Sequence, residues 1–135
     1  METMKAGCYL IDIKNKCVAL VFRDKQNDFS FPKGHLEKGE TLKECAIRET
    51  SEETKRVAIV LDEFEPYEER YITPNGEKCV CYMYIAVDGG VSNNTSEDSH
   101  KTYWIPIDEV EEKLTYSSLK EAWRCNKEKI EKIVN

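Results

Sequence analysis

The segment FPKGHLEKGETLKECAIRETSEETKR, residues 31–56, decides how the chain is interpreted. Its second half predicts an amphipathic helix over residues 41–54, because apolar side chains recur there at helical spacing: Leu42, Cys45 and Ala46. At about 100° per residue, Glu49 and Glu53 continue this apolar stripe, and Glu52 lies at its edge. The side of the helix that should pack against the protein therefore carries carboxylates.

Three carboxylates at positions i, i+3 and i+4 of one helical surface repel one another. A carboxylate that is removed from water without a partner is strongly destabilised or takes up a proton. A solvated acidic face is the simpler interpretation of a Glu-rich helix, but it does not explain why the charges continue the apolar stripe. Nearby basic side chains are one solution. A divalent cation is another, because Mg²⁺ is typically held by carboxylates and by substrate phosphates.

The turn before the helix is suited to an anionic ligand. Pro32 fixes the backbone, and Gly34 allows the main chain to approach a ligand closely. Lys33 lies between them and has the charge to bind a phosphate. An ordinary strand-to-helix turn is the alternative interpretation.

Composition and charge limit the class of protein. The chain has 135 residues, 40% of them hydrophobic and 34% charged, which predicts a single folded domain over residues 1–135. The net charge of −6 disfavours a long nucleic acid as a partner, since binding its backbone needs a broad basic surface. A bound metal ion can still make an acidic site attractive to a small polyanion.

The sequence has neither a secretory signal nor a run of about 20 apolar residues. We therefore expect a cytoplasmic protein without a membrane partner, whose six cysteines are reduced thiols. A zinc site at Cys79 and Cys81 is disfavoured, because the two histidines, His35 and His100, are not near them in the sequence.

Strand and helix patterns are mixed along the chain. The predicted strands are a hairpin over residues 6–22, a strand over 57–72, a central strand over 77–88 and a short strand over 102–107. An Asn-Gly pair at 75–76 predicts a hairpin turn, and residues 89–101 predict a polar loop. An apolar stripe predicts a C-terminal helix over 119–134. We expect an α/β fold in which a mixed β-sheet lies between helices.

Residues 34–56 resemble the Nudix box, G-x5-E-x7-R-E-U-x-E-E-x-G-U, in which U is a bulky aliphatic residue. The matching residues are Gly34, Glu40, Arg48, Glu49, Glu52 and Glu53. Thr50 and Arg56 replace aliphatic residues, and Lys55 replaces the glycine after the helix. A left-handed conformation costs a lysine about 1 kcal/mol, so a longer or differently ended helix is an alternative. Lys55 and Arg56 are either neutral surface changes or a source of positive charge near a polyphosphate.

The resemblance implies a Nudix-type α/β/α sandwich and a MutT-like hydrolase that cleaves a phosphoric anhydride in a nucleoside diphosphate linked to another group. The implied cofactor is Mg²⁺ or Mn²⁺. The implied metal ligands are the carboxylates of Glu49, Glu52 and Glu53, with the carbonyl of Gly34 as a further candidate.

The resemblance also implies supporting and catalytic roles. Arg48 would orient Glu49, and Glu40 would support the loop and the water shell of the metal. A general base has to lie within hydrogen-bond reach of the attacking water. The candidates for this base are Glu53, Glu97 and Asp98.

The segments FPKGHLEKGE and RETSEET most resemble the corresponding segments of family members that cleave dinucleoside polyphosphates, such as diadenosine tetraphosphate, asymmetrically. Lys33 and His35 are the candidate phosphate-binding residues, although His35 is equally suited to lining the turn. Four tyrosines on the predicted strands after the helix are available for stacking on a base: Tyr67, Tyr71, Tyr82 and Tyr84, of which Tyr82 and Tyr84 are the chosen candidates. Tyrosines in strands also serve to pack the sheet, which is the alternative.

Other functions stay open at this point. Within the family they are hydrolysis of damaged nucleoside triphosphates and removal of pyrophosphate from RNA 5′ ends, the latter weakened by the acidic charge. A nucleotide-sensing domain without catalysis would not need the full set of carboxylates, and no exposed apolar stripe supports a plain interaction domain. We expect a small nucleotide as the partner and a monomer or weak homodimer as the oligomeric state.

Overall fold

The computed structural model describes residues 2–97 and 100–135. The strands are β1 (Thr3–Asp12), β2 (Cys17–Arg23), β3 (Asp28–Ser30), β4 (Lys33–His35), β5 (Arg56–Val60), β6 (Tyr67–Ile72), β7 (Lys78–Val91) and β8 (Lys101–Pro106). The helices are α1 (Leu42–Thr54), α2 (Val110–Lys113) and α3 (Ser117–Val134), and a 3₁₀ turn, Ile107–Glu109, leads into α2.

The strands form one mixed sheet that is centred on β1 and β7. These two strands run parallel, paired from Thr3 with Cys79 to Ile11 with Val87. Strands β2 and β4 pair antiparallel with β1, and β5 and β6 pair antiparallel with β7. Strands β3 and β8 extend the sheet from β2. The predicted central strand over 77–88 is confirmed by these pairings.

Helices cover both faces of the sheet. On one face, α1 packs Cys45 and Ala46 against a cluster that includes Cys8 of β1. On the other face, α3 packs Trp123 into the larger core around Tyr9. These contacts confirm the predicted α/β/α sandwich. The apolar part of the α1 stripe therefore fixes this helix to the sheet, and the remaining part of the stripe must lie at the edge of the same contact.

Helix α1 begins and ends at well-defined caps. Thr41 accepts a 3.1 Å hydrogen bond from the amide of Glu44, and the Glu44 carboxylate accepts a 2.9 Å hydrogen bond from the amide of Thr41. At the other end, Lys55 has φ 59° and ψ 30°, and its amide donates to the Ser51 carbonyl at 2.9 Å. The alternative of a longer helix is therefore wrong, because Lys55 adopts the left-handed conformation that a glycine would favour.

Two predicted boundaries are wrong. Residues 57–72 form two strands, β5 and β6, because residues 61–66 turn between them, with the Phe64 amide bonded to the Leu61 carbonyl at 3.2 Å. Strand β7 continues to Val91, so the predicted loop begins three residues too early. Gly89 permits this extension, since a Cβ there would lie 3.0 Å from the Ile59 side chain of the paired strand.

The remaining expectations concern the cysteines and the membrane. None of the six cysteines, all of them among the described residues, is paired with another in a disulfide, and their reduced state stays a prediction. Across the described parts of the chain, no helix is both long enough and apolar enough to span a membrane. The single domain over residues 1–135 stays a prediction.

A first prediction concerns the buried Thr50 of α1, which replaces an aliphatic residue of the Nudix pattern. Its buried hydroxyl has no hydrogen-bond partner among the described nitrogen and oxygen atoms, and the thiol of Cys8 beside it is only a weak partner. Because an unpaired buried hydroxyl is costly, Thr50→Val should raise the free energy of unfolding by about 1 kcal/mol, measured by urea denaturation.

Thr54, one turn later, is the matched control. Its hydroxyl donates to the Thr50 carbonyl at 2.6 Å and accepts from the Arg56 amide at 3.1 Å. We expect Thr54→Val to lower the free energy of unfolding by about 1–2 kcal/mol. A change of the same sign in both variants would contradict this interpretation of Thr50.

Candidate active site

The acidic half of α1 faces the protein beside β4. The side chains of Glu49 and Glu52 are only 16% and 15% exposed, and Glu53 is half-buried. These carboxylates follow the buried Cys45 and Ala46 on the same helix, as the periodicity predicts. The solvated-face alternative is therefore wrong for this helix.

Arg48 joins the helix to the turn before it. Its Nε donates to Glu40 at 2.6 Å, and its Nη1 donates to Glu49 at 3.1 Å and to Glu52 at 2.9 Å. Its Nη2 donates to the carbonyl of His35 at 2.9 Å. The bonds from Arg48 lower the pKa of Glu40 to about 2, and the bonds to Glu40 raise the pKa of Arg48. One guanidinium thus offsets much of the local negative charge.

Glu53 is the least compensated carboxylate of the group. Its Oε1 accepts a 3.2 Å hydrogen bond from the amide of Lys33. Burial, reinforced by the charge of Glu49, raises the pKa of Glu53 to about 8. At neutral pH this carboxylate therefore either holds a proton or needs an additional cation nearby.

The Glu49 carboxylate occupies the space beside Gly34 that a side chain at this position would fill. A Cβ at position 34 would lie 2.1 Å from the Glu49 carboxylate, closer than any real contact. The thiol of Cys45 lies 3.6 Å from the Gly34 carbonyl. Any larger residue at position 34 would therefore displace the Glu49 carboxylate from its present place, whereas the sequence alone suggested only a close backbone approach.

Two adjoining cavities of about 540 and 390 Å³ form one cleft. They share Lys5, Arg23, Gln26 and Lys33. The first cavity, called the acidic end below, is also lined by Gly34, His35, Glu49, Glu53, Glu97 and His100. The second, called the aromatic end, is also lined by Ser30, Glu69, Tyr71, Asn75, Tyr116 and Leu119. The shared cations lie between a cluster of carboxylates and a partly apolar pocket.

The shared cations are held in place by their neighbours. The ammonium groups of Lys33 and Lys5 lie 4.7 and 5.6 Å from the centre of the Tyr71 ring, which is a cation–π distance. Arg23 donates two 2.7 Å hydrogen bonds to a buried aspartate. Glu69 is buried 4.0 Å from Lys33, and this burial raises the pKa of Glu69.

The segment after β7 lies on the C-terminal end of α1. The amide of Ser92 donates to the Lys55 carbonyl at 2.9 Å, and the amide of His100 donates to the Glu53 carbonyl at 3.0 Å. Glu97, between these two attachments, lines the acidic end of the cleft. A residue far along the chain is thereby brought to the carboxylates of α1.

The donor set at the acidic end suits a hard divalent cation. Glu49 is turned towards Arg48 and Glu53 towards Lys33, and no three His, Cys, Asp or Glu side chains of the described residues converge as a ready metal site. Oxygen ligands are nevertheless abundant there, Glu53 calls for positive charge, and Gly34 leaves room for the Glu49 carboxylate.

The structure brings together six of the candidate residues. Those lining the acidic end are Lys33, Gly34, His35, Glu49, Glu53 and Glu97. Arg48 and Glu52 are not among the lining side chains, but Glu52 is joined to the lining Glu49 through the guanidinium of Arg48, which forms an ion pair with both. Tyr84 packs in the cluster beneath α1 and Tyr82 alternates onto the same face, so neither lines the cleft. Asp98 lies outside the described residues.

Sequence reasoning missed several residues of the cleft. They are Lys5, Arg23, Glu69 and Tyr116. Each belongs to a different element or connection, and no local pattern links them. Only the pairing of β1 with β7 and the packing of α3 bring them together.

Comparison with known proteins agrees with the motif. The family model described as NUDIX domain matches residues 1–124. An 8-oxo-(d)GTP phosphatase from Mycolicibacterium smegmatis is 33% identical over 99 residues, which cover 73% of this chain and 30% of that protein. An asymmetrical bis(5′-nucleosyl)-tetraphosphatase from Rattus norvegicus is 34% identical over 93 residues, which cover 66% of this chain and 63% of that protein.

The chain thus spans less than two thirds of the length of either relative. Among solved structures, a NUDIX hydrolase from Nitrosomonas europaea superposes with a TM-score of 0.76 at 18% identity, covering 94% of this chain and 91% of that chain. This likeness concerns the fold. Together with the family match over residues 1–124, it confirms the expectation drawn from residues 34–56, and the chain belongs to the NUDIX domain family.

Proposed function

We propose that the protein hydrolyses a phosphoric anhydride in a dinucleoside polyphosphate, such as diadenosine tetraphosphate, with Mg²⁺ or Mn²⁺ as cofactor. The observation that supports this most strongly is the order of groups along one cleft: carboxylates, then cations, then an aromatic pocket. The rat relative named as an asymmetrical bis(5′-nucleosyl)-tetraphosphatase supports the same substrate class.

The acidic end is the proposed cation site. Glu49, Glu52 and Glu53 would hold the ion, with the carbonyl of Gly34 as a further ligand. Arg48 would keep Glu49 and Glu52 oriented through the hydrogen bonds that it already makes to both. When bound, a divalent ion would supply positive charge to the phosphate oxygens and lower the pKa of the attacking water.

The cations in the middle of the cleft would bind the polyphosphate. Lys5, Arg23 and Lys33 line both cavities, so a phosphate chain that starts at the carboxylates would continue along them. A long polyphosphate uses more of these charges than a diphosphate does. This arrangement also explains how a chain with a net charge of −6 attracts a polyanion at one place.

The aromatic end would take a base or ribose. Tyr116 is 40% exposed and its hydroxyl is hydrogen-bonded to Asp28, so its ring would be held in place for stacking on a base, which is worth about 1–3 kcal/mol. The buried carboxylate of Glu69 would accept a hydrogen bond from an amino or hydroxyl group of the nucleoside. We therefore assign base binding to this end rather than to Tyr82 and Tyr84.

Hydrolysis transfers the hydroxyl of water to one phosphorus and breaks its bond to the bridging oxygen, which leaves with the other phosphate. The proton lost by water has to be accepted by a nearby carboxylate. Glu53 and Glu97 both line the acidic end, and both stay candidates, together with Asp98. Of the two that line the acidic end, Glu97 is the one that the proposed cation site does not already use as a ligand.

A second candidate function is hydrolysis of a modified nucleoside triphosphate. It is favoured by the relative named as an 8-oxo-(d)GTP phosphatase, and a single nucleotide would fill the same cleft. RNA 5′ ends are disfavoured by the acidic charge. A cytoplasmic location and a monomeric or weakly dimeric state stay predictions.

The substrate is tested with the purified protein and Mg²⁺ on a panel of nucleotides, with products separated by chromatography. We expect diadenosine tetraphosphate to give ATP and AMP at the highest kcat/KM. Faster turnover of 8-oxo-dGTP, other nucleoside triphosphates or ADP-ribose would reject the dinucleoside substrate and retain the chemistry. Nucleotide binding without any product would instead indicate a sensor.

The proposed metal ligands are tested by Glu52→Gln and Glu53→Gln. Each removes an anionic oxygen and keeps the size of the side chain, so each should lower kcat at least about 100-fold while the protein stays folded by circular dichroism. Glu112→Gln changes an exposed glutamate of α2 and serves as the control. Full turnover in either α1 variant would show that the assignment of metal ligands is wrong.

The charge of Glu53 also predicts how metal-free stability depends on pH. The folded-state pKa of about 8 lies above the usual glutamate value of 4.5. The protonated Glu53 side chain therefore contributes stability to the folded protein that is fully present below pH 4.5 and is lost as the pH rises towards 8. In EDTA, Glu53→Gln should raise Tm relative to the wild type by about 5 °C more at pH 8 than at pH 5.

Added Mg²⁺ should remove this difference, because it stabilises the wild type more than a variant that lacks the carboxylate. Differential scanning calorimetry at both pH values, with and without Mg²⁺, measures the Tm of the wild type and of Glu53→Gln under each condition. If the Tm of the wild type and the Tm of Glu53→Gln changed equally between pH 5 and pH 8 in EDTA, the interpretation that Glu53 lacks a compensating cation would be contradicted.

A further inference from the structure

We propose that Lys55 is a positioning residue, which holds Glu97 at the acidic end of the cleft by tethering the segment that follows β7. The inference rests on the proposed function, because it takes the acidic end to be the place of hydrolysis. The Nudix pattern has a glycine at this position, and the proposal assigns a role to the lysine side chain that replaces it.

Lys55 adopts an unfavourable backbone conformation. Its φ of 59° lies in the left-handed region, where a Cβ is crowded by the following carbonyl. A glycine at this position would end α1 in the same way without that crowding. The lysine side chain, however, makes a contact that glycine cannot make: its ammonium donates a hydrogen bond to the carbonyl of Ser96.

This contact reaches the middle of a segment whose two ends are attached separately. At the start, the Ser92 amide donates to the Lys55 carbonyl and the Ser92 hydroxyl lies 2.5 Å from the Ser51 hydroxyl. At the far end, the His100 amide donates to the Glu53 carbonyl. Within the segment, the Ser96 amide donates to the Asn94 side chain at 2.7 Å. The Lys55 ammonium adds a bond from the end of α1 to the carbonyl immediately before Glu97.

The consequence for the site is direct. Glu97 lines the acidic end with Glu49 and Glu53. The carbonyl of Ser96 and the amide of Glu97 belong to the same planar peptide group, so a bond to this carbonyl restrains the backbone position of Glu97. A charge-assisted hydrogen bond to that carbonyl in a partly buried position restricts the segment more than a neutral bond would. Without it, Glu97 would spend less time at the carboxylates, and a catalytic arrangement is sensitive to such displacement.

The chain offers a matched control in Lys16. This lysine also has a left-handed φ, of 54°, and its ammonium donates to Asn135 at 2.8 Å. It lies in the turn between β1 and β2 and does not line the cleft. Lys16→Gly therefore relieves the same backbone crowding and removes a similar contact, away from the site.

The test compares Lys55→Gly, Lys55→Arg and Lys16→Gly with the wild type. For Lys55→Gly we expect an unchanged or higher Tm, a kcat about tenfold lower on diadenosine tetraphosphate with Mg²⁺, and a KM within about twofold. Lys55→Arg retains a cationic donor and should restore kcat to within about threefold of the wild type. Lys16→Gly should leave kcat unchanged.

Amide hydrogen exchange of the metal-free proteins gives a measurement that does not depend on activity. Peptides spanning residues 92–97 should exchange about tenfold faster in Lys55→Gly than in the wild type, with no change in α1 or in Lys16→Gly. A lysine that merely capped the helix would change exchange in α1 instead, and that outcome would overturn the proposal.

Glu97→Gln and the double variant Lys55→Gly/Glu97→Gln separate the two residues. If Lys55 acts through Glu97, the double variant should have the same kcat as Glu97→Gln alone. Full activity in Lys55→Gly, or losses that multiply in the double variant, would overturn the proposal although the wild type is active. An inactive wild type would instead overturn the proposed function, with the exchange data still deciding whether the tether exists.

Discussion

The hydrogen bonds of Arg48 are the constraint on which the rest of the site depends. Helix α1 is fixed to the sheet by buried apolar side chains, and its rigid periodicity then forces Glu49 and Glu52 into a half-buried position beside β4. Without a cation their repulsion would oppose that packing. Arg48 bonds both carboxylates and also Glu40 of the preceding turn. The same guanidinium therefore makes the acidic helix compatible with the fold and sets the distance between helix and turn.

The compensation is incomplete, and the incomplete part lies where the proposed cation would bind. Glu53 points away from Arg48 to the amide of Lys33, and burial with the charge of Glu49 raises its pKa to about 8. A structure selected only for stability would pair or replace such a group. The carboxylate is retained beside a cationic strip that starts at Lys33, so the local field changes sign along the cleft although the whole chain is acidic. This is the arrangement that a metal ion with a polyphosphate requires.

Local sequence patterns were sufficient for the long strands, the two long helices and the centre of the site. They were not sufficient for the short strands β3 and β4, for the break between β5 and β6, or for the walls of the cleft. The period of α1 puts Glu49 and Glu53 on the side of the helix that faces the protein, and the resemblance implies Gly34 as a further ligand. The contact of Gly34 with the Glu49 carboxylate is a finding of the structure. The face of a strand, in contrast, is decided by which helix covers it, and the alternation that buries Tyr84 beneath α1 removes it from the cleft. Tyr116 enters the cleft because α3 packs on the opposite face, a contact between segments distant in sequence. Such contacts leave no local signal.

The departures from the Nudix pattern act on how α1 is joined to the sheet rather than on the charges of the cleft. Arg56, which replaces an aliphatic residue, bonds Asp88 of β7 at 3.0 and 2.6 Å and lines neither cavity. Lys55 keeps the left-handed exit and turns its ammonium to the segment after β7. The alternative in which Lys55 and Arg56 supply positive charge to a polyphosphate is therefore wrong for Arg56, because its guanidinium is already paired with Asp88 of the sheet. The lysine and arginine side chains that line the cleft belong to β1, β2 and β4 and, at Lys25, to the turn after β2. The altered helix exit instead connects α1 with the segment that carries Glu97.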